Sequence, residues 1–199
     1  MSAGIPLMPP ARNLPDVEAA FEAVPPEMVA EILDGELFTS PRPARPHTRS
    51  ASRLTMKLGG AFDLGDSGPG GWVILDEPEL HVGPRPDKLA PDLAGWKRER
   101  MPDALGDAET LAYYDIAPDW VCEVLSPRTE RVDRGKKMRI YRREGVGHVW
   151  LLNPLMRTLE VYRLEGGRWM LLETYEDDAK VRAEPFDAME LDLASIWAP

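Results

Sequence analysis

The chain has 199 residues, 24 Lys and Arg against 34 Asp and Glu, and a formal net charge of -10. That acidic total argues against a general polyanion-coating protein, whose hold on phosphates rests on Lys and Arg. The single cysteine, Cys122, excludes a disulfide framework and fits a reducing, cytoplasmic setting. No apolar run approaches the roughly 20 residues that span a bilayer, so no membrane partner is expected. The opening MSAGIPLMPPARNLPD also lacks the basic flank and apolar centre of a signal peptide.

Residues 1–15, with Pro6, Pro9, Pro10 and Pro15, read as a flexible N-terminal tail ahead of a single domain over 16–199. Asp16 caps a short helix over 16–23 that Pro25-Pro26 closes. In 28–39 the pair Asp34-Gly35 between apolar runs predicts a hairpin. Pro41, Pro43 and Pro46 make a stiff connector. Ala51, Leu54, Leu58 and Ala61 recur at helical spacing and predict a helix over 48–62, weakened near its end by Gly59-Gly60. Short strands are expected at 72–75, 80–82 and 89–95, a charged connection over 96–104 and a short helix over 105–114.

The segment 119–126, DWVCEVLS, is rich in β-formers and ends at Pro127. Asp133 is expected to cap a helix that reaches Glu144 and stops at Gly145. A second apolar strand at 148–152 completes a βαβ unit whose two strands lie parallel at the centre of the fold. A hairpin over 158–164 and 169–175 and an edge strand at 180–183 follow.

Charge is unevenly spread. Residues 39–57 hold five basic side chains and no acid, and residues 128–143 hold eight against Glu130 and Asp133. Residues 173–192 hold eight acids against Lys180 and Arg182. Such segregation suits a solvated surface, and equally a basic cleft on an acidic body that steers an anionic substrate.

Two acids stand where packing alone does not ask for them. Asp92 lies in LAPDLAGW and Glu123 in DWVCEVLS, both within apolar, strand-like runs. A carboxylate in a buried strand is costly unless it is paired, protonated or bound to a cation. Neighbouring strands bring side chains to about 5 Å, which lets two carboxylates share one hard cation such as Mg²⁺. Lys136 and Lys137 follow on the next helix, where an ammonium can sit beside a phosphate oxygen. Residues four apart share a helix face, which groups Lys137 with Asp133 and Tyr141 and turns Lys136 toward Ile140.

A strand ending in Pro-Asp, a strand carrying Glu-x-Leu-Ser-Pro and a downstream Asp-x-x-x-Lys-x-x-x-Tyr together resemble the PD-(D/E)XK nuclease superfamily. More closely, they resemble its Uma-type restriction-endonuclease-like family. The matching stretches are EILDGEL, PRPARPH, LAPDLAGW and the long segment 119–154. The resemblance implies an α/β (α+β) fold: a restriction-endonuclease-like core with a mixed central β-sheet flanked by helices and an added C-terminal β-hairpin. It makes Asp92 and Glu123 the metal-binding carboxylates for Mg²⁺ or Mn²⁺ and Lys137 their catalytic partner, and it places Glu31, His47 and Tyr141 near the cleft. The superfamily's usual lysine position falls on Leu125, and Asn153 stands where the family usually has Asp. The implied reaction is metal-dependent endonucleolytic hydrolysis of nucleic acid, with DNA the expected substrate. The basic stretches 42–57 and 128–143, with Arg45, Arg49 and Arg53 named in the first, would hold its backbone, and the resemblance leaves room for a homodimer. The competing class is a nuclease-fold binding or scaffold protein that does not cleave.

Other side chains carry weaker signals. Strand alternation points Cys122 away from Glu123, as a small buried hydrophobe. His47, His81 and His148 have no metal-ligand spacing, and the six tryptophans look like core.

Overall fold

A computed structural model of the chain describes residues 14–84, 87–101 and 112–197. In chain order, α1 (Leu14–Glu22) precedes the strands β1 (Met28–Leu33) and β2 (Glu36–Pro41). Helix α2 (Arg45–Leu58) runs on into a π-helical turn, Gly59–Asp63. Then come β3 (Trp72–Asp76), β4 (Leu80–Val82), β5 (Asp87–Leu89), β6 (Leu93–Lys97) and β7 (Trp120–Val124). One continuous helical segment follows: α3 (Glu130–Val132), a π-helical turn over Asp133–Lys137 and α4 (Met138–Arg143). The chain closes with β8 (His148–Asn153), β9 (Thr158–Glu165), β10 (Arg168–Glu176), β11 (Lys180–Val181), β12 (Leu191–Asp192) and α5 (Ala194–Trp197).

Six strands form the main sheet in the order β10-β9-β8-β7-β6-β3. β7 and β8 pair in parallel and their neighbours pair antiparallel, so the sheet is mixed and the predicted βαβ unit lies at its centre. The strict two-residue period of a strand sorts β7 onto two faces. Trp120, Cys122 and Val124 point into one core beneath α2 and α5, with Trp150 edge-on to Trp120. Val121 and Leu125 point into the other, against Ile140 and Tyr141 of α4. Cys122 is fully buried among the first set, and Leu125 is core on the second. A separate antiparallel sheet, β2-β1-β5-β4, abuts the second core. Its β1–β2 hairpin turns at Asp34-Gly35, both with positive φ as that turn type requires.

Several expectations need correction. The run at 89–95 is two strands in different sheets, β5 and β6, broken at Ala90-Pro91-Asp92. An apolar stretch carries no mark of a change of sheet; only the missing N–H of Pro91 hints at the break. Helix α2 begins at Arg45, with a proline in its first turn, and Gly59-Gly60 widens it into a π turn instead of ending it. Asp133 is no cap, because the helix starts three residues earlier, where Ser126 O accepts the Thr129 and Glu130 N–H groups. Its carboxylate is left free to meet Lys137. Gly145 does close the helix, at φ 75°. Lys180 and Val181 pair with β12 in a small sheet of their own and do not extend the main edge. Helix α1 starts at Leu14, inside the expected tail; residues 1–13, and 105–111 of the expected 105–114 helix, lie outside the described set, and 112–114 are not helical, Tyr114 bridging to Leu80 instead.

Candidate active site

The site forms where the sheet β2-β1-β5-β4 meets the end of β7. Register brings its two acids together: Leu93 of β6 pairs with Cys122 of β7, so Asp92 and Glu123 occupy the next position on each side. Asp92 sits in the bend before β6, where the strand no longer fixes a side-chain direction. Two contacts fix it instead. The Val124 N–H donates to Asp92 Oδ2 at 2.7 Å, and His47 Nε2 lies 3.1 Å from Oδ1. His47 reaches Asp92 from the first turn of α2 and is buried, while its Nδ1 has no hydrogen-bond partner among the described residues.

Glu123 is 2 % exposed. The Tyr141 hydroxyl donates to its Oε1, and Lys137 Nζ donates to its Oε2 at 3.1 Å. The same ammonium lies 3.0 Å from Glu31 Oε1 and 3.4 Å from Asp133 Oδ1. Glu31, on β1, is itself held by the Ala90 N–H at 3.0 Å. Glu31, His47, Asp92, Glu123, Asp133 and Lys137 line one cleft of about 750 Å³.

Burial pushes the Glu123 carboxyl well above its ordinary range; the Lys137 ammonium pulls it back, and Asp133, Asp92 and Glu31 push it further up. Asp133 is raised for the same first reason, against the pull of Lys137. Burial opposes the charge on Lys137, but Glu123, Glu31 and Asp133 overcome it, and the ammonium is held well above its usual range. Burial and the neighbouring Glu123 also keep the Tyr141 phenol protonated well above its normal value.

The predicted residues Asp92, Glu123, Lys137, Glu31, His47 and Tyr141 therefore converge. Lys136 does not: it leaves the cleft to bond Glu36 at 2.6 Å. Arg45, Arg49 and Arg53 lie along α2 outside the cleft lining, and Arg53 Nη1 donates to Ser195 O at 2.9 Å beside α5. Asp133, expected as the helix cap, lines the cleft instead, as does Arg128 in the turn before α3, which the sequence marked only as the first of the basic residues in 128–143. Asn153, the family departure, serves a turn: its Oδ1 accepts the Leu155 and Met156 N–H groups at 3.1 and 3.0 Å.

Hard oxygen donors suit Mg²⁺ or Mn²⁺. Among the described residues no three His, Cys, Asp or Glu side chains converge as a metal-binding group, since Lys137 stands between Glu31, Glu123 and Asp133. Three carboxylates meet the one ammonium, with Asp92 close by against His47, so acidic groups outnumber cations here. A cation held by one or two carboxylates, with water and substrate completing its shell, is the mode that fits such a donor set.

A mixed sheet flanked by helices, with paired acids at the end of its central strands, defines a restriction-endonuclease-like protein. The chain belongs to the Uma2 family, described as "Putative restriction endonuclease", whose model matches residues 18–194. Its fold is similar to the crystal structure of "a putative nuclease belonging to DUF820" from Anabaena variabilis ATCC 29413. The two share 21 % identity over 92 % of this chain and 97 % of that one, with a TM-score of 0.72. No curated protein matches the chain. Among the described residues no helix is long and apolar enough to cross a membrane.

Proposed function

We propose that this cleft hydrolyses phosphodiester bonds of nucleic acid, with DNA the substrate, in a reaction that depends on Mg²⁺ or Mn²⁺. The observation that carries this reading is a buried ammonium, Lys137, set against Glu123 at 3.1 Å beside Asp92 in an open cleft of a restriction-endonuclease-like fold. Asp92 and Glu123 would hold the metal, which supplies an activated water and offsets charge developing on the phosphate.

The chain's own residues prepare that chemistry. The Val124 N–H and His47 aim Asp92, and the Tyr141 hydroxyl aims Glu123. Lys137 keeps its proton at neutral pH, so it acts as a hydrogen-bond donor and point charge and not as a base. Its longest contact, to Asp133 at 3.4 Å, is the one most readily given up to a phosphoryl oxygen. Glu31 and Asp133 hold the ammonium in place and keep it charged.

Relaxation of supercoiled plasmid DNA tests the proposal. Nicking that requires Mg²⁺ or Mn²⁺ and disappears in Asp92→Ala is expected. A protein that gains thermal stability with Mn²⁺ yet cuts neither DNA nor RNA is instead the non-cleaving binding protein.

A further inference from the structure

We infer that Arg42 and Arg128 form a phosphate clamp at the mouth of the cleft, holding the nucleic-acid backbone on either side of the bond to be cut; the inference rests on the nuclease reading above. Carboxylates outnumber Lys and Arg side chains on the cleft lining seven to three. A phosphodiester chain entering such a cleft meets net repulsion, so its local attraction must come from the cations present. One of the three, Lys137, is buried at the foot and surrounded by Glu31, Glu123 and Asp133. Arg42 and Arg128 are the remaining two.

Both are placed to do the work. Both line the cleft, Arg42 just after β2 and Arg128 just before α3, five residues after Glu123. Arg128 is exposed and has no ion pair or hydrogen bond among the described residues. Arg42 is anchored by a bond from Nη2 to Pro26 O at 3.3 Å, while its other arm lies 3.6 Å from Glu77. The side chains of that ion pair are 58 % and 52 % exposed, so phosphate can displace Glu77 at little cost. The planar guanidinium fork matches phosphate geometry better than an ammonium does. The more conspicuous basic row on α2 stays off the lining, and Arg53 is turned toward α5.

The test is fluorescence anisotropy of a short fluorescein-labelled DNA duplex, titrated with the full chain over a range of salt in the presence of Ca²⁺. Each arginine that meets a phosphate contributes about 0.9 to the slope of log affinity against log salt. The Arg42→Gln/Arg128→Gln variant should therefore bind more weakly and lose about two from the slope, with an unchanged melting temperature. Arg128→Lys, which keeps the charge, should retain the slope. A double variant with wild-type affinity and slope overturns the clamp, as does the full loss appearing instead in Arg45→Gln/Arg49→Gln/Arg53→Gln. Wild-type protein that cuts DNA while the double variant binds normally sinks only the clamp; wild-type protein that neither binds nor cuts DNA sinks the nuclease reading with it.

Discussion

Buried charge is handled in opposite ways at the two ends of β5. Just within it, Asp87 and Lys88 are 3 % and 8 % exposed, yet each meets an opposite charge that reaches in from outside. Arg143 Nη2 donates to Asp87 at 2.5 Å, the Asp34 N–H adds a bond at 2.6 Å, and Lys88 donates to Glu18 at 2.5 Å above the Phe21 ring. Just beyond it, Glu31, Glu123 and Asp133 share the single ammonium of Lys137, while Asp92 beside them faces His47. The first arrangement is balanced and holds α1, β5 and α4 together. The second holds more acids than cations, an arrangement that the proposed metal would balance.

The largest effect should come from taking away the one cation of the unbalanced cluster. Lys137→Met leaves Glu123, Glu31 and Asp133 buried without a counter-charge, and breaking such a buried pair costs roughly 3–5 kcal/mol. Chemical denaturation at neutral pH measures this, and the loss should shrink in acid as the carboxylates take up protons. Cleavage per folded molecule should fall on the order of 100-fold or more, the usual consequence of losing one electrostatic donor. Next comes the balanced cluster. Asp87→Asn weakens charge-assisted bonds from Arg143 and Asp34 and should cost about 1.5–3 kcal/mol, while cleavage per folded molecule stays at the wild-type level. An activity loss there would erase the distinction between the two clusters.

Glu123→Gln should move stability the other way. Burial holds this carboxyl above its ordinary range, so the folded chain binds the proton more tightly than the unfolded chain does. Its contribution to stability then falls as pH rises from the ordinary carboxylate value of 4.5 through the raised folded value. In EDTA the variant should equal wild type in acid and match or exceed it at neutral pH, and it should lose the thermal shift given by Mn²⁺. A large loss of metal-free stability at neutral pH would make Glu123 a structural ion-pair partner and put both clusters in one class.

Much of this contrast was legible in the sequence, for definite reasons. The runs around Val121 and Val149 are apolar throughout, which only a two-sided central strand requires, and a Glu within one of them advertises an unmet charge. Spacing on the helix selected Lys137, since four-residue steps survive even the π turn that contains it. Long-range partners left no such mark. Nothing local shows that Glu31, from another sheet, would reach Lys137, or that His47 would lie against Asp92; the family resemblance placed both only near the cleft. The division of 89–95 between two sheets was hidden because both halves are apolar. Arg128 was expected at the nucleic acid only as one of the basic residues of 128–143, and spacing did not separate it from the others, most of which pair at the surface, as Arg134 does with Glu130 and Glu160.

The smallest expected effect belongs to the neighbour of the most important lysine. Lys136 and Lys137 are adjacent in sequence, but successive helical residues are turned by about 100° from each other. That rotation carries Lys136 out of the cleft, where its ammonium bonds Glu36 at 2.6 Å and lies 4.8 Å from the Phe38 ring. Both partners lie on β2, so the contact ties the helix to the hairpin without touching the acids. Exposed pairs of this kind contribute at most about 1 kcal/mol, because water already solvates both charges well. Lys136→Met should therefore melt close to wild type and cleave at nearly the wild-type rate, losing only a little long-range attraction for DNA. Measured with Lys137→Met at saturating Mg²⁺ and corrected for the folded fraction, the two rates should differ on the order of 100-fold. Equal rates would mean that catalysis needs only the local excess of positive charge on this helix, and not one ammonium among Glu31, Glu123 and Asp133.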